Sequence, residues 1–243
     1  MYPIIKENFT SLLCTGAFGI PTEDVKPMSI FKWDMLLDAA KCLGVESYIM
    51  RGMYSYYKTT SSMPVEIPPF EDLKKEDFDC GDATFYGLIS ARRYRRIIEE
   101  ERHSIDTSVE SLHLLSLIIK NANLLIVSDL SLSGIIAVGE YLRKKGDKVD
   151  FVKLNNWIDR LGIREVSSFI GTLLVNLFDF DKDEVEFIVC KYHNPITHYN
   201  RLLEHSLEEK HRFPLLSLMN ISLFETMSYY FSNALSGILN VEE

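Results

Sequence analysis

Two helical periods stand back to back between Asp150 and Leu177, and they constrain the fold more than any other stretch of the chain. Leu154, Trp157, Ile158 and Leu161 fall at the i, i+3, i+4, i+7 spacing that lines one face of an α-helix. Asp150 stands where an N-cap carboxylate accepts from the first free amides, and Gly162 where a left-handed C-terminal cap belongs. Val166, Phe169, Ile170, Leu173, Leu174 and Leu177 then repeat the pattern. Two apolar stripes joined by so short a turn require a shared apolar neighbour, because neither is stable against water.

The rest of the chain is consistent with more of the same. Only 12 Gly and 8 Pro punctuate 243 residues, fewer turn residues than a sandwich of many short strands needs. Hydrophobic residues make up 47% and charged residues 25%, so the chain has the apolar content to bury a core without staples. The expectation is an all-α fold, a compact multi-helix array forming a single helical domain over 1-243, with 58-70 as the place where it would subdivide.

Helical spacing predicts a first helix over residues 4 to 15, with Ile5, Phe9, Leu12 and Leu13 inward and Gly16 as its C-terminal cap. A loop with Gly19, Pro21 and Pro27 follows. Ser29 is the N-cap of a second helix with the stripe Ile30, Trp33, Leu37 and Ala40 and its stop at Gly44. A third helix runs from about Glu46 to Tyr57. From Lys58 to Pro69 a Thr/Ser run and three prolines break any period and make the longest loop.

Residues 82 to 103 read as helix, and Thr107 with Glu110 forms a capping box for another through about Asn121, lined by Leu112, Leu115, Ile118 and Ile119. Leu124 to Leu154 fits either helices or a strand, helix, strand unit. The α/β alternative, with a small βαβ unit at 124-154, would place Asp129 at a strand end as in open α/β sites. Pro195 opens a helix to about Lys210, and Pro214 a last one to Leu239.

Charge and cysteine usage exclude some functions. A net charge of −9 argues against a nucleic-acid groove, which is built from Lys and Arg, so no nucleic-acid partner is expected. Cys14, Cys42, Cys80 and Cys190 have no metal-ligand spacing and read as separate thiols in a reducing compartment. The first residues carry no secretory pattern, and the expectation is a soluble, cytoplasmic protein.

Asp179, Asp181 and Asp183 suggest a calcium loop, but Glu184 occupies the position that needs Gly and Cys190 the one that needs a bidentate Glu. Gly171-Thr172 with Asp179 and Asp181 suggests a nucleotidyltransferase turn and metal pair, yet the residues between continue a helical stripe. His198 and His205, with Glu208 beyond, lack the i,i+4 spacing of a zinc pair. There is no GxSxG, P-loop or GxGxxG. No catalytic residue, metal or cofactor is therefore expected.

Arg92, Arg93, Arg95 and Arg96 are the candidate anion-binding group, since guanidinium forks suit phosphate. The plainer reading pairs Arg95 with Glu99 and Arg96 with Glu100 along a solvated helix face. The 213-241 segment has Glu225 as its only charge before the C-terminal acids. Its recurring Ser, Asn and Thr suit a core or subunit contact rather than a membrane span, with Leu216, Leu223, Met227, Tyr230, Ala234 and Ile238 as the stripe.

Two segments carry a resemblance. Ser29 to Tyr57, with Ile30-Phe31-Lys32-Trp33-Asp34-Met35-Leu36-Leu37-Asp38-Ala39-Ala40 and Leu43-Gly44-Val45, resembles the N-terminal helices of bacterial uncharacterised nucleotidyltransferase-like proteins. Gly134 to Phe180, with Trp157-Ile158-Asp159-Arg160-Leu161-Gly162-Ile163, resembles the helical region that follows their catalytic core. The family's Gly-Ser or Gly-Gly turn and Asp-x-Asp strand are missing between them, so no catalytic residue carries over. The resemblance implies a helical scaffold without the transferase core, and helices over 124 to 154. The functional expectation is a non-catalytic protein acting through protein-protein interaction, with a partner or itself through the 213-241 helix. The alternative is a diverged nucleotidyltransferase-like protein that binds a nucleotide or phosphorylated ligand.

Overall fold

A computed structural model of the chain describes residues 3–21, 25–60, 88–105, 108–127, 131–188 and 195–207. Among them the regular structure is helical: α1 (Pro3–Phe18), α2 (Ile30–Cys42), α3 (Glu46–Thr60), α4 (Leu88–Arg102), α5 (Val109–Val127), α6 (Leu132–Lys145), α7 (Phe151–Leu161), α8 (Arg164–Leu177) and α9 (Pro195–Leu207). Two single 3₁₀ turns, Gly146–Lys148 and Lys182–Glu184, follow α6 and α8. The all-α expectation holds for these residues. The βαβ alternative does not, because α5, α6 and the start of α7 occupy the described part of 124-154. Asp129 lies outside the described residues.

The α7–α8 pair follows its sequence signals closely. The Asp150 carboxylate accepts from Lys153 N at 2.9 Å, and Gly162 takes φ +76°, its amide donating back to Ile158 O and Asp159 O. Leu154, Trp157, Ile158 and Leu161 are all buried, as are Val166, Phe169, Ile170, Leu173 and Leu174 of α8. Ser131 caps α6 in the same manner, accepting from Gly134 N at 3.1 Å.

The first two helices depart from expectation. Gly16 lies inside α1, not at its end, and the left-handed residue is Gly19 at φ +70°. A Cβ on Gly16 would sit 1.7 Å from Tyr48 O, and one on Gly52 would sit 2.1 Å from Leu12 O. Both glycines exist to let the α1 and α3 backbones touch. The pairing of Leu12 with Gly52 and Gly16 with Tyr48 makes the two helices antiparallel. In α2 the buried face is Trp33, Leu36, Ala39 and Ala40, which leaves Leu37 half-buried and Ile30 exposed. Ser29 begins that helix in extended geometry, but its side chain makes no capping hydrogen bond. Gly44 ends it at φ +64°.

Boundaries shift elsewhere. Helix α3 continues through residues 58–60, and the rest of the expected long loop lies outside the described residues. So does Thr107 of the expected capping box, while α5 itself continues past Asn121 to Val127. Helix α9 ends at Leu207, and the 213-241 segment is not among the described residues.

Buried residues from all nine helices belong to one apolar cluster. Polar bonds pin its parts in register. Asn121, buried, donates from Nδ2 to Leu117 O at 2.9 Å and to Gly134 O at 3.1 Å, tying α5 to α6. Thr10 and Tyr199 hydroxyls share a 2.8 Å hydrogen bond, and Lys6 pairs with Glu204, so α1 and α9 lie side by side in opposite directions. Arg143 of α6 stacks over the rings of Phe18 and Phe180, at 4.9 Å and 4.4 Å from their centroids, and closes the ends of α1 and α8.

Candidate functional site

The sequence nominated the arginine turn, and α4 carries it on two different faces. Ser90, Ile97 and Glu101 are buried, and this side packs on α7. Lys153 of α7 lies 3.5 Å from the Glu101 carboxylate. Arg160, at the other end of α7, grips Glu100 with both terminal nitrogens, at 2.7 Å and 2.9 Å. Arg93 also reaches this joint, donating to Arg160 O at 3.3 Å. A guanidinium there meets a free carbonyl in the last turn of a helix, where the dipole favours positive charge. Arg93 therefore links α4 to α7.

The remaining three, Arg92, Arg95 and Arg96, are exposed like Arg93 itself. At 100° per residue they share one arc of the helix, with Glu99 in its middle. The expected i,i+4 ladder is replaced by the contact between helices. Glu100 gives its carboxylate to Arg160 rather than to Arg96, and among the described residues Arg95 and Glu99 form no ion pair. The hydrogen bonds from Arg160 hold the Glu100 carboxyl below the usual carboxylate range, with charge contributions from Arg160 and then Arg96. All four arginines are thus exposed on a single convex helix, and Arg93 alone also reaches α7, through one 3.3 Å hydrogen bond to Arg160 O. A small phosphate ligand calls for donors that converge, whereas this stripe suits an extended acidic surface.

The discounted sites have structural roles. Gly171 sits inside α8, where a Cβ would lie 2.6 Å from Ile188 Cγ1, and the Thr172 hydroxyl donates to Ser168 O at 2.6 Å. The would-be phosphate turn is a point inside α8 where the segment carrying Val185 and Ile188 packs closely. Asp179 takes φ +54°, and Glu184 accepts from Asp181 N at 2.8 Å, so the acidic run builds a turn. No group of three or more potential metal ligands occurs among the described residues. His198 meets the Phe169 ring edge-on at 6.0 Å, and burial, with Arg201 second, lowers its pKa. The Cys14 thiol donates to Leu177 O at 2.9 Å and is pushed up to about 12, chiefly by burial and further by Asp179, which makes it an inert core group. Cys42 is exposed. Cys80, Cys190 and Glu208 lie outside the described residues.

Sequence reasoning missed the apolar residues that the fold leaves in water. Ile30 and Phe31 are 66% and 65% exposed at the start of α2. On the same side Asp34 and Asp38 are exposed, which places Phe31, Asp34 and Asp38 on one face at i, i+3 and i+7. Ile105 is fully exposed, and Val109 and Val152 are 65% and 83% exposed. The only local signal was negative: Ile30 belongs to the helical stripe only if the buried face is centred on Ile30 and Leu37, and Leu36 and Ala39 fit a different centre.

Among the described residues the regular structure is helical, and the nominated cations lie on its surface. No helix among the described residues is long and apolar enough to cross a membrane. Compared with known proteins, the chain matches no family model, no curated protein and no solved structure.

Proposed function

We propose that this is a non-catalytic helical protein that works by binding another protein, and that the outer face of α2 is a principal contact. The observation that carries the reading is the exposed Ile30–Phe31 pair on a helix that buries Trp33, Leu36, Ala39 and Ala40 on its other side. An aromatic side chain beside a branched aliphatic has the chemistry of an interface anchor. Asp34 and Asp38 continue the face, so the fitting partner offers an apolar pocket rimmed by Lys or Arg. The apolar stripe of the 213-241 sequence is a second candidate contact of the same kind. With Cys14 and Cys42 carrying free thiols, the reading is one for a reducing compartment, the cytoplasm.

The test places a photoreactive phenylalanine analogue at position 31 of the full chain in cells. A discrete adduct is expected with a second protein, and Asp34→Lys with Asp38→Lys should abolish it. After the partner is identified and purified, Phe31→Ala should weaken binding about tenfold or more. An adduct of twice the chain's own mass overturns the choice of partner in favour of self-association. No adduct, or one indifferent to the charge reversals, overturns the reading itself.

The competing reading is a diverged nucleotidyltransferase-like protein; Arg92, Arg95 and Arg96 are accessible to an anion, but their divergence from one convex helix weighs against it. It requires nucleotides with Mg²⁺ or Mn²⁺ to raise the melting temperature, and Arg96→Ala to cancel the rise.

A further inference from the structure

Two buried donors at the start of α3 find no acceptor. Ser47, the second residue of that helix, is 8% exposed, and its hydroxyl has no hydrogen-bond partner. Arg51, one turn on, is half-buried, and its Nη2 is shut from solvent, also without a partner. A hydroxyl inside a helix ordinarily bonds the carbonyl one turn back, as Thr15 does to Ser11 O and Thr172 to Ser168 O. A desolvated donor left open is costly, and a guanidinium nitrogen more so than a hydroxyl.

The backbone and the Arg51 rotamer bring these donors to one turn. The Arg51 guanidinium carbon lies 5.0 Å from the centroid of the Tyr48 ring, three residues earlier. The side chain therefore folds back toward the N-terminus of α3, where Ser47 stands. Tyr48 N and Ile49 N donate to Val45 O, so the helical ladder begins after Ser47, and among the described residues the Glu46 and Ser47 amides meet no acceptor. Free amides at the positive end of a helix favour an anion.

The acidic neighbours leave the position open. Glu46 is the one carboxylate of α3. At 100° per residue it stands about 100° round the helix from Ser47 and about 140° from Arg51, and it lies 3.9 Å from Lys41 of α2. Asp38, one turn before Lys41, is exposed, and among the described residues Arg51 forms no ion pair. Further along the arc of Ser47 and Arg51 come Tyr54 and Lys58, with the Lys58 ammonium 4.7 Å from the centroid of the Tyr54 ring. Lys41, Arg51 and Lys58 thus stand against Asp38 and Glu46, and the local balance stays positive on an acidic chain.

We propose that the start of α3 is a binding site for a phosphate group, held by the Ser47 hydroxyl, Arg51 Nη2 and the first-turn amides. Donors from three directions suit a tetrahedral oxyanion better than a planar carboxylate. Unlike the stripe on α4, these donors lie within one turn, and their burial strengthens each hydrogen bond they make. The site shares no residue with the α2 contact face, so the two are separable by mutation.

Titration of the full chain with inorganic phosphate at constant ionic strength tests it, read by melting temperature and by the heat of binding. A saturable rise is expected with phosphate, and none with acetate over the same range. Ser47→Ala and Arg51→Met should each weaken phosphate binding about tenfold or more, while Arg92→Ala with Arg96→Ala leaves it unchanged. Without phosphate, Ser47→Ala should not lower the melting temperature, because it removes a donor that bonds nothing in the fold. That variant therefore decides the matter even if Arg51→Met does not fold. No saturable effect of phosphate overturns the proposal, and so does an effect that Ser47→Ala leaves intact. A response lost with Arg92→Ala and Arg96→Ala assigns anion binding to α4 instead, and an equal response to acetate overturns the choice of phosphate.

Discussion

Glycines show how much a single residue position can demand. Gly16 and Gly19 are three apart, yet a methyl group at Gly16 would collide with Tyr48 O, while one at Gly19 meets open space and only a left-handed backbone. Gly16→Ala should therefore cost about 3 kcal/mol or more, by forcing α1 from α3, and Gly19→Ala about 1 kcal/mol, by conformational strain alone. Urea denaturation of the two variants reads this difference directly. His198 gives a pH prediction at the same scale. Burial and Arg201 lower its pKa in the fold, so the unfolded chain takes up the proton first. Stability is then greatest above the ordinary histidine pKa of about 6.5, and falls as pH drops through that value towards the lowered native one. The His198→Asn variant should lose less stability than wild type between about pH 7 and pH 5, measured as midpoint shifts.

Caps and clamps decide matters one level up, where helices begin, end and lean on each other. Asp150 and Ser29 both occupy N-cap positions, but only the Asp150 side chain accepts a backbone hydrogen bond. Asp150→Ala should destabilise by about 1 kcal/mol, and Ser29→Ala by no more than a few tenths, in paired thermal melts. For α4 the expectation concerns position rather than global stability. Arg160→Ala removes the partner of Glu100, and amide exchange should quicken in α4 while α1 and α3 keep their protection. The sequence placed both charges correctly on helices and paired them wrongly. Arg96 and Glu100 are neighbours in any helix, whereas Arg160 becomes a neighbour only when α7 docks.

For the whole molecule, helix content is the firmest expectation. The nine helices among the described residues alone account for more than half of the 243 residues, and far-UV circular dichroism should report a helical fraction above one half. A value well below that would contradict the helical fold. The α2 surface proposed above belongs to this scale as well, because it depends on what the assembled core leaves uncovered. Ile30 and Phe31 stay exposed because the buried face of α2 is set by α1, α3 and α9.

The sequence by itself determined the helical class, the α7–α8 pair with its Asp150 and Gly162 caps, and most of the residues that fill the core. Each of these depends on the 3.6-residue period or on hydrogen bonds between near neighbours, and both are written into local order. Only the tertiary structure decided that Gly16 is a crossing point rather than a cap, that α2 turns Ile30 and Phe31 outward, and that of four exposed arginines Arg93 is the one that reaches α7. Those outcomes depend on which helix approaches which side of another. That choice is made by packing among residues tens to hundreds of positions apart, and local spacing carries no record of it.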